Sequence, residues 1–230
     1  MQGDSAAAAL LLAAVHLAAG KLHGGERSRW LSAAGGVSAA YVFLHLVPEL
    51  AQRQALIAHG ALHLYLAAFA GFALFYALES AVKQSRGGRG EARAAPQAAF
   101  WLHLASFALY NALIGYLLAG RAAAGRGELA AFAGVMAMHL LAVDYGMREH
   151  HKQGYTGTGR WVLAAAVPAG WALSLFQRGA EPAASLLLGF LAGAIILNVM
   201  KEELPAERES RYGVFLIAAA ASGALLFMLG

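Results

Sequence analysis

The sequence predicts an all-α protein, a polytopic integral membrane bundle of eight transmembrane helices. Hydrophobic residues make up 60% of the 230-residue chain, charged residues make up 13%, and the mean hydropathy is +0.55, values well outside the usual range of a soluble domain. Apolar stretches of about 20 residues, enough to cross roughly 30 Å of hydrocarbon as a helix, recur along nearly the whole chain. Residues 1–230 are therefore expected to form a single membrane domain.

Short breaks containing Gly, Arg and Pro separate the predicted spans, which cover residues 5–20, 31–50, 57–82, 98–120, 128–149, 160–177, 183–203 and 212–229. The first span is the shortest, and a cleaved signal peptide is its alternative interpretation. Signal peptides carry positive charge before the apolar run, whereas here Asp4 precedes the run and Lys21 follows it, which favours a span. Residues 83–97 form the only long polar linker and are predicted to be a mobile cytoplasmic loop between the third and fourth helices.

Lysine and arginine alternate between the breaks, as the positive-inside rule requires of a correct set of spans. Alternate breaks hold 13 of the 17 basic residues: Lys21, Arg27, Arg29, Lys83, Arg86, Arg89, Arg93, Arg148, Lys152, Arg160, Lys201, Arg208 and Arg211. The other breaks hold 4: Arg53, Arg121, Arg126 and Arg178. This distribution predicts a bacterial inner membrane protein with both termini outside. It also accounts for the pI near 9.5, so the lipid bilayer is the expected partner, nucleic acid is not, and a homodimer is left open.

Polar side chains inside the spans point to function, because such groups are costly in hydrocarbon and usually face the bundle interior. The chain has no cysteine, so imidazole, carboxylate and amide groups are the available metal ligands. His45 and Glu49 share one face of the second span, and His103 lies in the fourth. A hydrogen-bonding role between helices, or solvation at a span end for Glu49, is the ordinary alternative.

The fifth span carries the strongest candidates. His139 is expected near the middle of the membrane, with Asp144 roughly 140° away on the helix and about one turn nearer the cytoplasm. A carboxylate inside a span needs a cation, a proton or a strong hydrogen-bond donor. In the seventh span, Gly189 and Gly193 form a pair of small residues that predicts close helix packing.

The chain resembles the ZIP (Zrt/Irt-like) family of divalent metal transporters over its whole length. The segment YVFLHLVPEL in the second span is similar to the His-x-x-Pro-Glu/Asp stretch common in that family, and LLGFLAGAIILNVMKEELP resembles its seventh helix. Family members carry His-Asn-x-x-Glu/Asp-Gly in the fourth helix and His-Glu-x-x-His-Glu in the fifth, which together line a two-metal site. The corresponding segments here are YNALIG, residues 110–115, and HLLAVD, residues 139–144.

The resemblance implies a reduced metal site formed by Asn111, His139 and Asp144. Four family ligand positions are lost, because Tyr110, Ile114, Leu140 and Val143 replace two histidines and two carboxylates. The three retained residues supply mixed N and O ligands suited to a divalent metal ion, zinc first, with water or His103 as a fourth ligand. His45 and Glu49 are secondary candidates. The metal is expected as a transported substrate.

Two other classes remain open at this stage. A non-transporting protein of ZIP type, acting as a sensor or partner subunit, would keep the same residues hydrogen-bonded to one another in a dry bundle. An intramembrane zinc hydrolase of the ceramidase and adiponectin-receptor kind would need a His-x-x-x-His pair in a late helix. The last two spans contain no histidine, and His59 and His63, the only such pair, lie at the outer end of the third span, so no enzymatic activity is predicted.

Overall fold

The computed structural model describes residues 2–19, 27–54, 60–87, 94–176, 181–200 and 211–229, and within these ranges the chain is helical and contains no strand. The helices are α1 (Gln2–Ala18), α2 (Arg27–Tyr41), α3 (Val47–Arg53), α4 (Gly60–Gly87), α5 (Ala94–Ala124), α6 (Arg126–Gly154), α7 (Arg160–Ser174), α8 (Glu181–Asn198) and α9 (Tyr212–Leu229). π-Helical turns at Val42–Leu46 and Tyr155–Gly159 join α2 to α3 and α6 to α7.

The predicted all-α class is confirmed for the described residues. Four helical stretches among them are long and apolar enough to cross a membrane: Arg29–Arg53, Leu62–Ala81, Gln97–Ala124 and Arg126–Glu149. Three shorter apolar helices accompany them, at Gln2–Ala18, Pro182–Asn198 and Tyr212–Met228. These helices are compatible with a membrane protein, while the number of spans stays a prediction. Helix occupies both ends of the predicted loop 83–97, and residues 88–93 lie outside the described part.

The second predicted span is a continuous helical stretch with a π-helical turn at Val42–Leu46, immediately before Pro48. Proline has no backbone N–H, and its ring crowds the carbonyl group four residues earlier, which lies in this turn. A widened turn relieves that crowding without ending the helix. The widened turn carries His45, one of the residues singled out in the sequence.

Glycines allow the helices to pack in closely spaced pairs: α4 with α8, α5 with α7 and α2 with α9. A Cβ atom at Gly193 would collide with the carbonyl oxygen of Ala68, so the two backbones touch at this point. The prediction of close packing at Gly189 and Gly193 is confirmed. Gly115 and Gly170 have the same function between α5 and α7.

A single residue, Gly125, connects α5 to α6 and adopts a φ of 138°, which side-chain-bearing residues rarely adopt. The two helices therefore form an antiparallel hairpin. Tyr110 and His139, almost equidistant from Gly125 along the chain, meet across it with ring centroids 5.2 Å apart.

The outer surface of the bundle is apolar, whereas several polar side chains are buried inside it. Phe69, Ile217 and Phe227 are among the large exposed hydrophobic residues, and Phe227 is 88% exposed. His16, Asn111, His139 and Asp144 have no exposed surface. Large apolar side chains on the exterior and polar side chains buried between helices are the arrangement expected where lipid replaces water as the solvent.

Candidate functional site

Asp144 is a fully buried carboxylate on α6 with a partner at each of its oxygens. Arg148, one helical turn further along, donates from Nε to Oδ2 over 2.6 Å. The phenol of Tyr155 donates a hydrogen bond to Oδ1. The guanidinium group of Arg148 also lies over the Tyr155 ring, 5.4 Å from its centroid. The negative charge that the sequence places inside a span is thus balanced by an arginine from the same helix.

His16 of α1 lies beside Asp144 and connects it to α5. Its Nδ1 atom is 3.7 Å from Asp144 Oδ1 and 3.5 Å from the Tyr155 hydroxyl oxygen. Its Nε2 atom lies 2.7 Å from Asn111 Nδ2, and the same amide nitrogen donates to the backbone carbonyl of Leu163 over 3.1 Å. Because an amide nitrogen only donates, Nε2 is the accepting nitrogen of His16, and the ring proton is on Nδ1, facing Asp144.

These five side chains, Asp144, Arg148, Tyr155, His16 and Asn111, are called the Asp144 network below. They come from α1, α5, α6 and the turn before α7. Among the described residues, Asn111 Oδ1 is buried without a hydrogen-bond partner. The network therefore holds a carboxylate, an imidazole and an open amide oxygen within one buried region.

Tyr155 reaches the network because the backbone leaves helical geometry at His151, where φ is −139° and ψ is 42°. The π-helical turn that follows places its side chain against Asp144. Burial raises the pKa of the Tyr155 phenol above its usual value of 10.0, and the charge of Asp144 and the hydrogen bond to it raise this pKa further. Tyr155 therefore remains a proton donor toward the carboxylate.

His139 is not one of the five side chains that define the Asp144 network. It is fully buried, and its ring packs against Tyr110 with an interplanar angle of 41°. Of the three residues expected to form one metal site, the structure brings Asn111 and Asp144 together through His16. His139 instead contacts Tyr110 within the α5–α6 hairpin. Tyr110 stands at the position where the ZIP pattern has a histidine.

His103 lies nearer the other end of α5, in contact with α4 and with the end of α6. Its Nε2 atom is 3.0 Å from Glu79 Oε2, and its Nδ1 atom is 3.2 Å from His151 Nε2. A small cleft adjoins these residues and is lined by Phe75, Leu78, Glu79, His103, Ser106, Phe107, Leu197 and Asn198. Glu79 and His151, which contact His103, are not members of the Asp144 network.

The secondary candidates His45 and Glu49 belong to a cluster of charges between α3, α5 and α6. Arg121 Nη1 is 2.7 Å from Glu49 Oε2 and 3.7 Å from Glu128 Oε2, and His45 Nε2 is 3.2 Å from the same Glu128 oxygen. Arg53 completes the cluster with its Nε atom 2.8 Å from Glu49 Oε1. The sequence assigns Arg121 to a break between spans, whereas in the structure this residue lies in α5 and is only 5% exposed. Two carboxylates compensate the cost of burying it.

Sequence reasoning missed three members of the Asp144 network. His16 lies within an apolar run, and the rule that selected His139 applies to it equally. Arg148 and Tyr155 follow Asp144 closely in the chain. The sequence assigns Arg148 to a cytoplasmic break, and Tyr155 lies between two predicted spans, where no helical pattern singles it out. A spacing of four residues between an acid and an arginine on a helix indicates an ion pair, and this signal could have identified Arg148.

No protein-family model and no curated protein matches the sequence. The likeness to the ZIP family consequently depends on the quoted segments and on the helical plan, and it stays a prediction.

Proposed function

We propose that this chain is a ZIP-like membrane transporter that moves a divalent cation, zinc first, through its helix bundle. The observation that supports the proposal best is the fully buried Asp144 carboxylate, which lies beside an imidazole and near an open amide oxygen. Oxygen and nitrogen groups of this kind are suitable ligands for zinc and related divalent ions. In this proposal the protein has eight spans in a bacterial inner membrane, with both termini outside.

The distance between His16 and Asp144 is suited to a shared ion. Their facing atoms, Nδ1 and Oδ1, are 3.7 Å apart, longer than a hydrogen bond. Two ligands of a tetrahedral zinc ion, each about 2.0–2.1 Å from the metal, are separated by roughly 3.4 Å. A cation between them would bind Nδ1, so the ring proton of His16 would move to Nε2. Asn111 could then turn its open Oδ1 toward Nε2 and accept a hydrogen bond from that proton.

Arg148 competes with any incoming cation for Asp144. Its side chain is 18% exposed, whereas that of Asp144 is fully buried, so the guanidinium group can move outward while the carboxylate stays in place. In the proposed cycle, Arg148 neutralises Asp144 when no metal ion is bound, which prevents an unpaired charge from remaining in the bundle. Binding weakened by this competition is compatible with transport, because an ion must also be released.

Zinc flux into proteoliposomes tests the proposal, with wild type measured beside Asp144→Asn, His16→Gln and His139→Ala. Asp144→Asn removes the charge and nearly preserves the shape, and we expect it to lower the initial rate at least tenfold. Asp4→Asn is the matched control, because that carboxylate pairs with the exposed Arg126 at the protein surface. Absence of flux in wild type for zinc, iron, manganese and cadmium would refute transport. Equal flux in wild type and Asp144→Asn would exclude the proposed path.

Reporter fusions test the topology separately. Fusions at residue 90 and at the C terminus are expected to give opposite orientations, cytoplasmic and periplasmic respectively. The same orientation at both positions would contradict the eight-span arrangement.

A non-transporting ZIP-like protein, serving as a sensor or partner subunit, is the second candidate. The pairing of Asp144 with Arg148 and Tyr155 favours it, since this carboxylate is satisfied without any metal ion. On this alternative the Asp144 network stabilises the bundle. Ion flux distinguishes the two candidates, because on this alternative the wild-type protein itself moves no cation.

A further inference from the structure

We infer that His103 and His151 form a second site for a divalent transition metal ion, with Glu79 as the group that orients His103. The site includes no member of the Asp144 network, and its existence does not depend on cation transport. It joins α4, α5 and the end of α6.

The separation of the two imidazoles is the first observation. His103 Nδ1 and His151 Nε2 are 3.2 Å apart, and their ring planes are perpendicular, with centroids 5.4 Å apart. Two histidine nitrogens bound to one tetrahedral zinc ion at about 2.0–2.1 Å lie roughly 3.4 Å from each other. A small outward shift of either ring therefore opens the geometry that a shared metal ion requires.

The position of Glu79 is the second observation. Its Oε2 atom lies 3.0 Å from His103 Nε2, on the side of the ring opposite to His151. A carboxylate there accepts a hydrogen bond from the Nε2–H group of His103. The Nδ1 atom then has the free lone pair, which is directed at His151. Metal-binding histidines commonly have such a carboxylate on their second nitrogen, where it fixes the tautomer and increases the basicity of the ligand.

The adjoining cleft is the third observation. Asn198 lines it, is 7% exposed, and has an Nδ2 atom without a hydrogen-bond partner in the described part of the chain. An amide donor in this position can bond to water held by a metal ion, which two histidines alone would leave with open coordination positions. The backbone also leaves helical geometry at His151, which is itself one of the two proposed ligands.

Imidazole nitrogens are suitable for zinc, copper and nickel, and zinc is the probe for the test. Purified full-length protein, stripped with a chelator, is titrated with zinc in competition with a chromophoric chelator. We expect His103→Gln and His151→Gln each to lower the affinity of one site at least tenfold. Glu79→Gln should lower it by about 10–100-fold, the usual effect of losing an orienting partner. His63→Gln, at an exposed histidine of α4, is the control and should leave this site unchanged.

A second measurement uses the wild-type protein alone, so its result does not depend on whether the variants fold. Zinc should shield His103 and His151 from acylation by diethyl pyrocarbonate, mapped by mass spectrometry, while the modification of His63 is unaffected. No zinc binding to wild type would overturn the inference, and so would binding that persists unchanged in both histidine variants. Equal acylation of His103 and His151 with and without zinc would show that their contact is a hydrogen bond alone.

Discussion

Asp144 and His16 face each other with 3.7 Å between Oδ1 and Nδ1, although one belongs to α6 and the other to α1. Arg148 neutralises the carboxylate from the same helix as Asp144, and Asn111 of α5 holds the imidazole. The contact therefore links the stability of α1 to the charge state of the bundle interior. The predictions on Asp144, Asn111 and Tyr155 follow from this linkage.

The ion pair of Asp144 with Arg148 should be measurable as a coupling energy. Asp144→Asn leaves Arg148 without its anion, and Arg148→Gln leaves the carboxylate unbalanced, so each single variant should unfold more easily. The double variant carries neither charge and should recover part of the loss, giving a coupling of about 1–3 kcal/mol. Unfolding of the purified protein in detergent measures all four forms. Strictly additive effects would show that the two side chains do not stabilise each other.

Asn111→Ala is expected to destabilise the protein by about 1–3 kcal/mol, because His16 Nε2 and the Leu163 carbonyl both lose their donor inside the bundle. Thermal unfolding provides the measurement. Ser106→Ala is the control, since the Ser106 hydroxyl donates to the Leu102 carbonyl in its own helix and its removal should cost less than about 0.5 kcal/mol. Similar effects for the two variants would contradict the bridging role of Asn111.

Tyr155 should make the protein sensitive to alkaline pH. The pKa of its phenol is raised in the folded state, so the folded protein retains this proton more tightly than the unfolded chain. The associated stability is complete below about pH 10 and is lost as the pH rises, because the unfolded tyrosine then ionises. Melting temperatures measured from pH 8 to pH 11 should fall less steeply in Tyr155→Phe than in wild type. Parallel curves would show that Tyr155 does not contribute.

Gly193→Ala should separate α4 from α8, because its new methyl group collides with the Ala68 carbonyl oxygen. The expected cost is about 1–3 kcal/mol. Gly134→Ala is the matched control, because a Cβ atom there meets nothing within 4 Å and alanine favours the helix by up to about 1 kcal/mol. Thermal unfolding should therefore show opposite signs for the two variants. A neutral effect at Gly193 would mean that the helices tolerate a wider spacing.

The helices were predictable because long apolar stretches strongly indicate helices in a membrane protein. The breaks between these stretches contain Gly, Arg and Pro. The close approach at Gly193 was also visible, since a spacing of four residues places two glycines on one helix face. Burial of His139 and Asp144 followed from the cost of exposing them to lipid. The partners of these residues were not predictable in the same way, because helical periodicity identifies a face but not the neighbouring helix that meets it.

His16 illustrates that limit. Its apolar surroundings in the first span are visible in the sequence, but its contacts with Asp144 and Asn111 depend on how α1 packs against α5 and α6. The same limit applies to Arg121, which a simple count of basic residues assigns to a break. Two acids, Glu49 and Glu128, come from distant parts of the chain to allow its burial.

The single-residue connection at Gly125 constrains how the Asp144 network could rearrange. The direct connection of α5 to α6 and the packing of Tyr110 against His139 favour a movement of the two helices together. Asn111 and Asp144 would keep their spacing during such a shift, whereas His16 is carried by α1, a separate helix of 17 residues. Withdrawal of α1 would break its contacts with both residues in a single movement. Displacement of α1, the shortest of the α-helices that carry the network, would therefore uncover the side of the Asp144 carboxylate that faces His16.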